Sequence, residues 1–234
     1  LYSWGANRYG QLGLGHHDDV DEATIVVGAL QSKEVKTVKC GASHTTVLTT
    51  NGDLYSFGRG CRGQHGHGSP RPQLCPRIVG CFVKNGPVVS VACGSNFTVC
   101  CTASGHVWSW GEGQCGQLGL GDYKTRSIPT LVSIASGDRQ YRIASIAAGW
   151  GHAGAMSDTG DIFMWGLNVF GQLGTGDCRI RSEPSHVLHV DDASFCVREI
   201  RCNGHFTAAI TREGALYTWG SLDNGEAKSR TAWS

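Results

Sequence analysis

Gly10-Gln11-Leu12-Gly13-Leu14-Gly15 decides how this chain is read, because variants of it return three more times. They are Gly63-Gln64-His65-Gly66-His67-Gly68, Gly116-Gln117-Leu118-Gly119-Leu120-Gly121 and Gly171-Gln172-Leu173-Gly174-Thr175-Gly176, with a decayed trace at Gly225-Glu226-Ala227-Lys228. Six residues ahead of each copy stands an aromatic residue followed by glycine: Trp4-Gly5, Phe57-Gly58, Trp110-Gly111, Trp165-Gly166 and Trp219-Gly220. Those aromatics lie 53, 53, 55 and 54 residues apart. Self-similarity at a fixed period marks a repeat architecture, in which each unit buries a face against its neighbour.

Within one period the patterns are strands and turns, with no trustworthy helical periodicity. After an opening strand from Leu1 to Trp4, the first unit offers Ala23 to Val27, Val35 to Cys40, Thr45 to Thr49 and Asp53 to Phe57. The following units repeat that set: Arg77 to Val79, Val88 to Cys93, Thr98 to Thr102 and His106 to Trp110; Thr130 to Val132, Arg142 to Ala148, Ala153 to Ser157 and Asp161 to Trp165; Ser185 to Leu188, Val197 to Cys202, Thr207 to Thr211 and Ala215 to Trp219. Asn51-Gly52, Ser104-Gly105, Thr159-Gly160 and Glu213-Gly214 sit where a tight hairpin needs positive φ. Three residues after the aromatics come Asn7, Gly60, Gly113 and Asn168, which predicts a left-handed residue there; Leu222 in the last unit breaks the pattern. Four short antiparallel strands per unit predict an all-β fold, a β-propeller of four-stranded blades. The chain reads as one domain over 1–234, with repeats at 4–56, 57–109, 110–164 and 165–218 and the start of a fifth at 219–234.

Trp4 to Gly15, the same frame at Trp165 to Gly176, and Cys40-Gly41-Ala42-Ser43-His44-Thr45 together resemble the regulator-of-chromosome-condensation repeat family. The resemblance covers essentially the whole chain and implies a seven-bladed propeller, of which about four blades are present. An open arc leaves a blade face uncovered at each end. Two faces of about 250 Å² each forfeit roughly 12 kcal/mol at ~25 cal/mol/Å², comparable with the ~5–15 kcal/mol stability of a domain. The ends are therefore expected to be covered by further blades or by another chain.

Composition narrows the function. Lys plus Arg is 20 and Asp plus Glu is 19, for a net charge of +1, with no basic run to track a phosphate backbone, so direct nucleic-acid binding is not expected. Of the eleven cysteines, an odd number, several fall at matching repeat positions rather than in a disulfide framework, which favours an intracellular, cytoplasmic or nuclear setting. No apolar run approaches a membrane span. Glycine, 34 of 234 residues, is turn chemistry without collagen's period.

Three motifs invite chemistry and lose it in context. Gly58-x-Gly60-x-x-Gly63 and Gly111-x-Gly113-x-x-Gly116 match a dinucleotide fingerprint, but Gln64-His65-Gly66 and Gln117-Leu118-Gly119 cannot begin the helix that would hold a pyrophosphate. Cys61, His65, His67 and Cys75 are ligand types suited to zinc, yet the histidines fill the slots of Leu12 and Leu14 and the spacing is not that of a finger; no metal or cofactor is expected. Cys40, Cys93 and Cys202 share a slot with Ala148, which marks a small buried side chain, and Cys100-Cys101 has no base that the sequence can place beside it. No catalytic residue is assigned.

What remains is the loop after the second strand of each unit, which the repeat brings to one rim. It reads Ala42-Ser43-His44, Ser95-Asn96-Phe97, Trp150-Gly151-His152 and Gly204-His205-Phe206. Rings in the His44, Phe97, His152 and Phe206 slot read first as staples packed between blades. Varied residues on a rigid rim also suit recognition, so the candidate partner-binding residues are Trp150, His152, Asn96, Phe97, His44 and His205. The resemblance implies a non-enzymatic interaction propeller, with guanine-nucleotide exchange on a Ran-like small GTPase as its sharpest form. Ser136 to Arg142 and Val190 to Phe195 are candidate wedges for that activity. It equally allows an interaction module of a larger protein such as a ubiquitin ligase. A UV-B photoreceptor is the remote alternative: only Gly149-Trp150-Gly151-His152-Ala153 resembles that sensor's Gly-Trp-Arg-His-Thr, with Gly151 where its bridging arginine would stand.

Overall fold

Strands form around the hairpin glycines, and Gly52, Gly105, Gly160 and Gly214 all adopt φ between +84° and +95°. The structure is a computed structural model that describes residues 1–136, 139–187 and 196–221. It opens with β1 (Tyr2–Gly5) paired to β2 (Val20–Ile25). Three four-stranded antiparallel sheets follow: β3 (Val35–Cys40), β4 (His44–Thr49), β5 (Leu54–Gly58) and β6 (Gln73–Ile78); then, after one helical turn α1 (Phe82–Asn85), β7 (Val88–Cys93), β8 (Phe97–Thr102), β9 (Val107–Gly111) and β10 (Arg126–Val132). A small hairpin of β11 (Ala135–Ser136) and β12 (Arg139–Gln140) precedes the third, β13 (Ile143–Ala148), β14 (His152–Ser157), β15 (Ile162–Gly166) and β16 (Arg181–Val187). β17 (Val197–Asn203), β18 (His205–Thr211) and β19 (Leu216–Ser221) make a three-stranded sheet. No helix among the described residues is long and apolar enough to cross a membrane.

The sheets are out of phase with the sequence repeat. Each blade takes three strands from one repeat and its outermost strand from the next, so every repeat ties two neighbouring blades together. The outermost strands also begin earlier than the sequence suggests. β6, β10 and β16 contain Pro76, Pro129 and Pro184, which obscure a strand pattern but are tolerated on an outer strand, where the absent N–H breaks no inner ladder. Their pairing with β5, β9 and β15 shifts register beside those prolines. The end expected at Leu188 lies outside the described residues, as do Leu222 and the decayed loop at 225–228.

β4, β8 and β14 are buried along their whole length, because neighbouring sheets cover both of their faces. The joint between sheets is made by the six-residue loop. A Cβ placed on Gly13, Gly66, Gly119 or Gly174 would stand 2.8, 2.7, 2.8 or 2.8 Å from the ring of Phe57, Trp110, Trp165 or Trp219 in the next repeat. Only a bare glycine lets the ring lie flat on the loop. The Trp110 and Trp165 indoles also donate Nε1–H to the carbonyls of Gln64 and Gln117, both at 3.0 Å. The Thr45, Thr98 and Thr207 hydroxyls also donate to the carbonyls of Gln11, Gln64 and Gln172 at 2.8, 2.9 and 2.9 Å, so the Phe57 joint keeps this bond although its ring has no N–H to give. Within each loop the glutamine Oε1 accepts the backbone N–H two residues before it, at 2.8–3.0 Å in all four copies.

The left-handed conformation expected at Asn7, Gly60, Gly113 and Asn168 is absent: among the described residues no non-glycine has positive φ, and neither Gly60 nor Gly113 does. Asparagine is there for its amide. Asn7 Oδ1 accepts the Leu12 N–H at 3.0 Å while its Nδ2 donates to the His16 carbonyl at 3.0 Å, and Asn168 does the same for Leu173 and Asp177 at 2.9 Å each. At Gly60 the side chain is excluded, because His65 Nε2 would lie 2.1 Å from its Cβ. His65 instead donates Nε2–H to the Arg71 carbonyl at 2.9 Å, a different tie across the same loop.

Gly119 and Gly171 separate packing from backbone strain, since both have φ near +70° but only Gly119 meets a ring; among the described residues nothing lies within 4 Å of a Cβ on Gly171. Gly171→Ala should cost about 1 kcal/mol from the left-handed backbone alone. Gly119→Ala should cost about 2–4 kcal/mol, the same strain plus overpacking against Trp165. Urea unfolding midpoints of the two variants provide the comparison.

Candidate functional site

The loops joining the two innermost strands of successive sheets meet on one rim and are laced by main-chain hydrogen bonds. Ala42 N donates to Ser95 O at 3.0 Å, Ser95 N to Trp150 O at 3.1 Å and Trp150 N to Gly204 O at 2.9 Å. A second tier, the segment after each aromatic, is tied to the first by Arg59 N to Ser43 O, Glu112 N to Asn96 O and Leu167 N to Gly151 O, at 2.8, 2.9 and 2.8 Å. Where the loops converge, a hollow of ≈ 300 Å³ is framed by Gly41, Gly94, Gly149 and Gly204.

Two kinds of side chain crown this rim. Towards the N-terminal blades it is polar: the Arg59 guanidinium stacks 4.6 Å from the Tyr9 ring, and Glu112 accepts from Asn96 Nδ2 at 3.1 Å and pairs with Arg62 at 3.6 Å. Towards the C-terminal blades it is aromatic. Trp150, 57% exposed, meets the His205 ring edge-on at 5.0 Å, and Phe170 packs against the same ring, tilted, at 5.0 Å. Val169 beside them is exposed. Phe170 belongs to the loop after Trp165, a position the sequence reading did not single out; its slot holds Tyr9, Arg62 and Cys115 elsewhere, and that variability was the available signal.

Of the six sequence candidates, Trp150, Asn96 and His205 reach this rim surface. The other three do not. His44, Phe97 and His152 are 1%, 0% and 0% exposed, and their rings lie over Gly41, Gly94 and Gly149. His44 Nε2 donates to Thr98 Oγ1 at 2.9 Å, and Thr98 Oγ1 donates on to the Gln64 carbonyl at 2.9 Å. His152 repeats the relay through Thr207 to Gln172 at 3.0 and 2.9 Å. Burial drives both imidazoles down to about 3, with His65 adding to the effect on His44 and His205 to that on His152. These rings are the staples between blades and are sealed from any partner.

The same geometry answers the other motifs. His65 and His67 stack at 4.8 Å; His65 accepts the His67 N–H on Nδ1, and His67 Nε2 donates to Ser56 Oγ at 3.0 Å. Both are directed at protein atoms, and among the described residues no group of three or more metal-ligating side chains converges. Burial pushes the Cys93, Cys101 and Cys202 thiols up to about 12, and a thiol held protonated is no nucleophile. Ser136 to Arg142, a candidate wedge, takes in the end of β11 and all of β12, and it leads into the start of β13, at the opposite end of the blade from the Trp150 rim. Val190 to Phe195 lies outside the described residues.

A sequence model of the RCC1-like domain matches residues 1–231. The chain belongs to the RCC1-like domain family. Its relatives include the ultraviolet-B receptor UVR8 of Arabidopsis thaliana, 34% identical over 94% of this chain and 48% of the receptor. The secretion-regulating guanine nucleotide exchange factor of Bos taurus is 33% identical over 100% of this chain and 50% of that protein. Among solved structures, human WBSCR16 superposes with a TM-score of 0.80 at 29% identity, covering 94% of this chain and 56% of that one. This RCC1-like chain thus spans about half the length of the curated relatives just described.

The buried staples make stability pH-dependent. A histidine whose folded pKa is about 3 and whose unfolded value is about 6.5 contributes fully above pH 6.5, and the contribution is lost as pH falls towards 3. Phenylalanine already fills this slot at Phe97 and Phe206, so the double variant His44→Phe, His152→Phe should fold and lose less stability on acidification. At pH 4.5 the difference should be roughly 2–3 kcal/mol per histidine relative to pH 7. Denaturant midpoints of chain and variant across pH 4.5–7 measure it.

Proposed function

We propose that this RCC1-like chain is a non-enzymatic protein-recognition propeller that engages its partner through the rim of Trp150, His205 and Asn96, extended by Phe170. The observation that supports this reading is the aromatic cluster itself. A half-exposed indole braced by two further rings, on loops stiffened by main-chain hydrogen bonds, offers large contact area with little conformational entropy left to lose on binding. The Arg59, Arg62 and Glu112 sector beside it supplies the polar margin that orients a partner.

Within that reading the partner is a small GTPase of the Ran type, and the effect is on nucleotide exchange. The bovine relative's name supports it by describing an exchange factor, although this chain spans only half of that protein. No bond-making group is needed, because a propeller that binds the nucleotide-free GTPase more tightly than the loaded form accelerates release by differential affinity alone. The chain would then work in an intracellular compartment, as the cysteine usage suggests.

Labelled GDP release from a panel of small GTPases, with and without the protein, tests the finer reading; an unchanged rate for every member removes exchange. For the rim itself, Trp150→Ala should weaken a bound partner by ~2 kcal/mol or more while leaving the unfolding midpoint nearly unchanged, since the indole is exposed. Unaltered affinity in a folded Trp150→Ala variant moves the partner site elsewhere.

A further inference from the structure

The innermost strands β3, β7, β13 and β17 together carry Lys36, Lys39, Arg198 and Arg201 against a single carboxylate, Glu199. The cations occupy equivalent positions on the first and last of these strands. Lys39 stands opposite Thr46 and Arg201 opposite Ala208 in their ladders, and the same slot in the two sheets between them holds Ala92 and Ala147. Two long cations thus flank two residues too small to fill the space that separates them.

That space is open. The hollow of the rim is lined in part by Cys40, Cys93, Ala148 and Asn203, and a second hollow of ≈ 240 Å³ shares those four residues and adds Lys39 and Arg201. The two form one channel that runs inward from the Trp150 rim to a cationic stretch. The charges there are largely uncommitted. Among the described residues the Lys39 ammonium makes no hydrogen bond or ion pair, and Arg201 meets Glu199 through one nitrogen at 2.6 Å, leaving other guanidinium donors to offer.

We infer that this channel receives an acidic segment of the protein partner, whose carboxylates pass Gly41, Gly94, Gly149 and Gly204 and pair with Lys39 and Arg201. The inference rests on the rim being a protein-recognition surface, and it adds the charge of what is recognised. Charge complementarity selects an anion. Continuity of the channel with the rim selects a segment of the rim's own partner, since one molecule then fills both. A nucleic-acid backbone would need cations spread along an open face, whereas Lys39 and Arg201 line a channel.

The probe is a fluorescein-labelled peptide of alternating Glu and Gly, compared with its Gln and Gly counterpart on the full chain by fluorescence polarisation. The acidic peptide should bind, the neutral one should not, and added salt should weaken the binding. Lys39→Gln and Arg201→Gln should each weaken it by roughly five- to tenfold, while Glu199→Gln, which removes the competing carboxylate, should tighten it. Lys124→Gln and Arg179→Gln take exposed cations from the loops leading into β10 and β16 and should change nothing. Cys40, exposed and common to both hollows, reports position: bound peptide should slow its alkylation by N-ethylmaleimide several-fold and leave the exposed Cys178, on an outer loop, unaffected. Absence of binding, equal losses from the peripheral variants, or an unprotected Cys40 overturns the inference. Complete displacement by citrate at matched charge also overturns it and assigns the channel to a small free anion. None of these measurements uses the partner protein. A chain that ignores the peptide therefore refutes the channel alone, whereas unaltered partner affinity in Trp150→Ala refutes the rim alone.

Discussion

A flat ring resting on a residue with no side chain is the contact from which this architecture is assembled. Each blade is a narrow sheet that cannot bury both faces by itself. It becomes stable when the aromatic at the end of its third strand slides over the loop of the preceding repeat, and a methyl group at that glycine would hold the ring off by a large part of a van der Waals radius. The indole hydrogen bonds to Gln64 and Gln117 then fix the ring's rotation as well as its distance. Because the outermost strand of each blade comes from the following repeat, the chain crosses every joint twice, once covalently and once through the ring.

The joint was legible because it demands particular residue types. Glycine at the contact, glutamine before it and an aromatic one repeat later have few substitutes, so they recur and announce the period. Other positions were misread for reasons that are equally physical. Asn7 and Gly60 share a slot without sharing a side chain: one supplies an amide that ties the loop to the His16 carbonyl, and the other makes room for His65, which ties its own loop to the Arg71 carbonyl. A sequence shows the interchange but not the compensation. Pro76, Pro129 and Pro184 concealed half of each outer strand, because the edge position that excuses a proline is a tertiary fact.

The site divides along the same line. His44, Phe97 and His152 repeat because they are structural, and the repetition that drew notice to them is also the mark of burial. Trp150 and Phe170 do not repeat at all, and the surface they make with His205 exists only because three different segments are brought together at ring distances of 5.0 Å. On this scaffold recurrence points to the frame, and departure from recurrence points to the exposed surface. The hairpin of β11 and β12 is a departure of the same kind, placed at the far end of the blades.

The lacing of the rim through Ala42, Ser95, Trp150 and Gly204 uses only main-chain atoms. Any amino acid other than proline can donate those N–H groups, so the spacing and tilt of the loops stay put whichever side chains they carry. Evolution can therefore rewrite the lettering on this mouth one residue at a time without loosening the frame beneath it. A single ancestral ring of blades could in this way come to greet very different visitors.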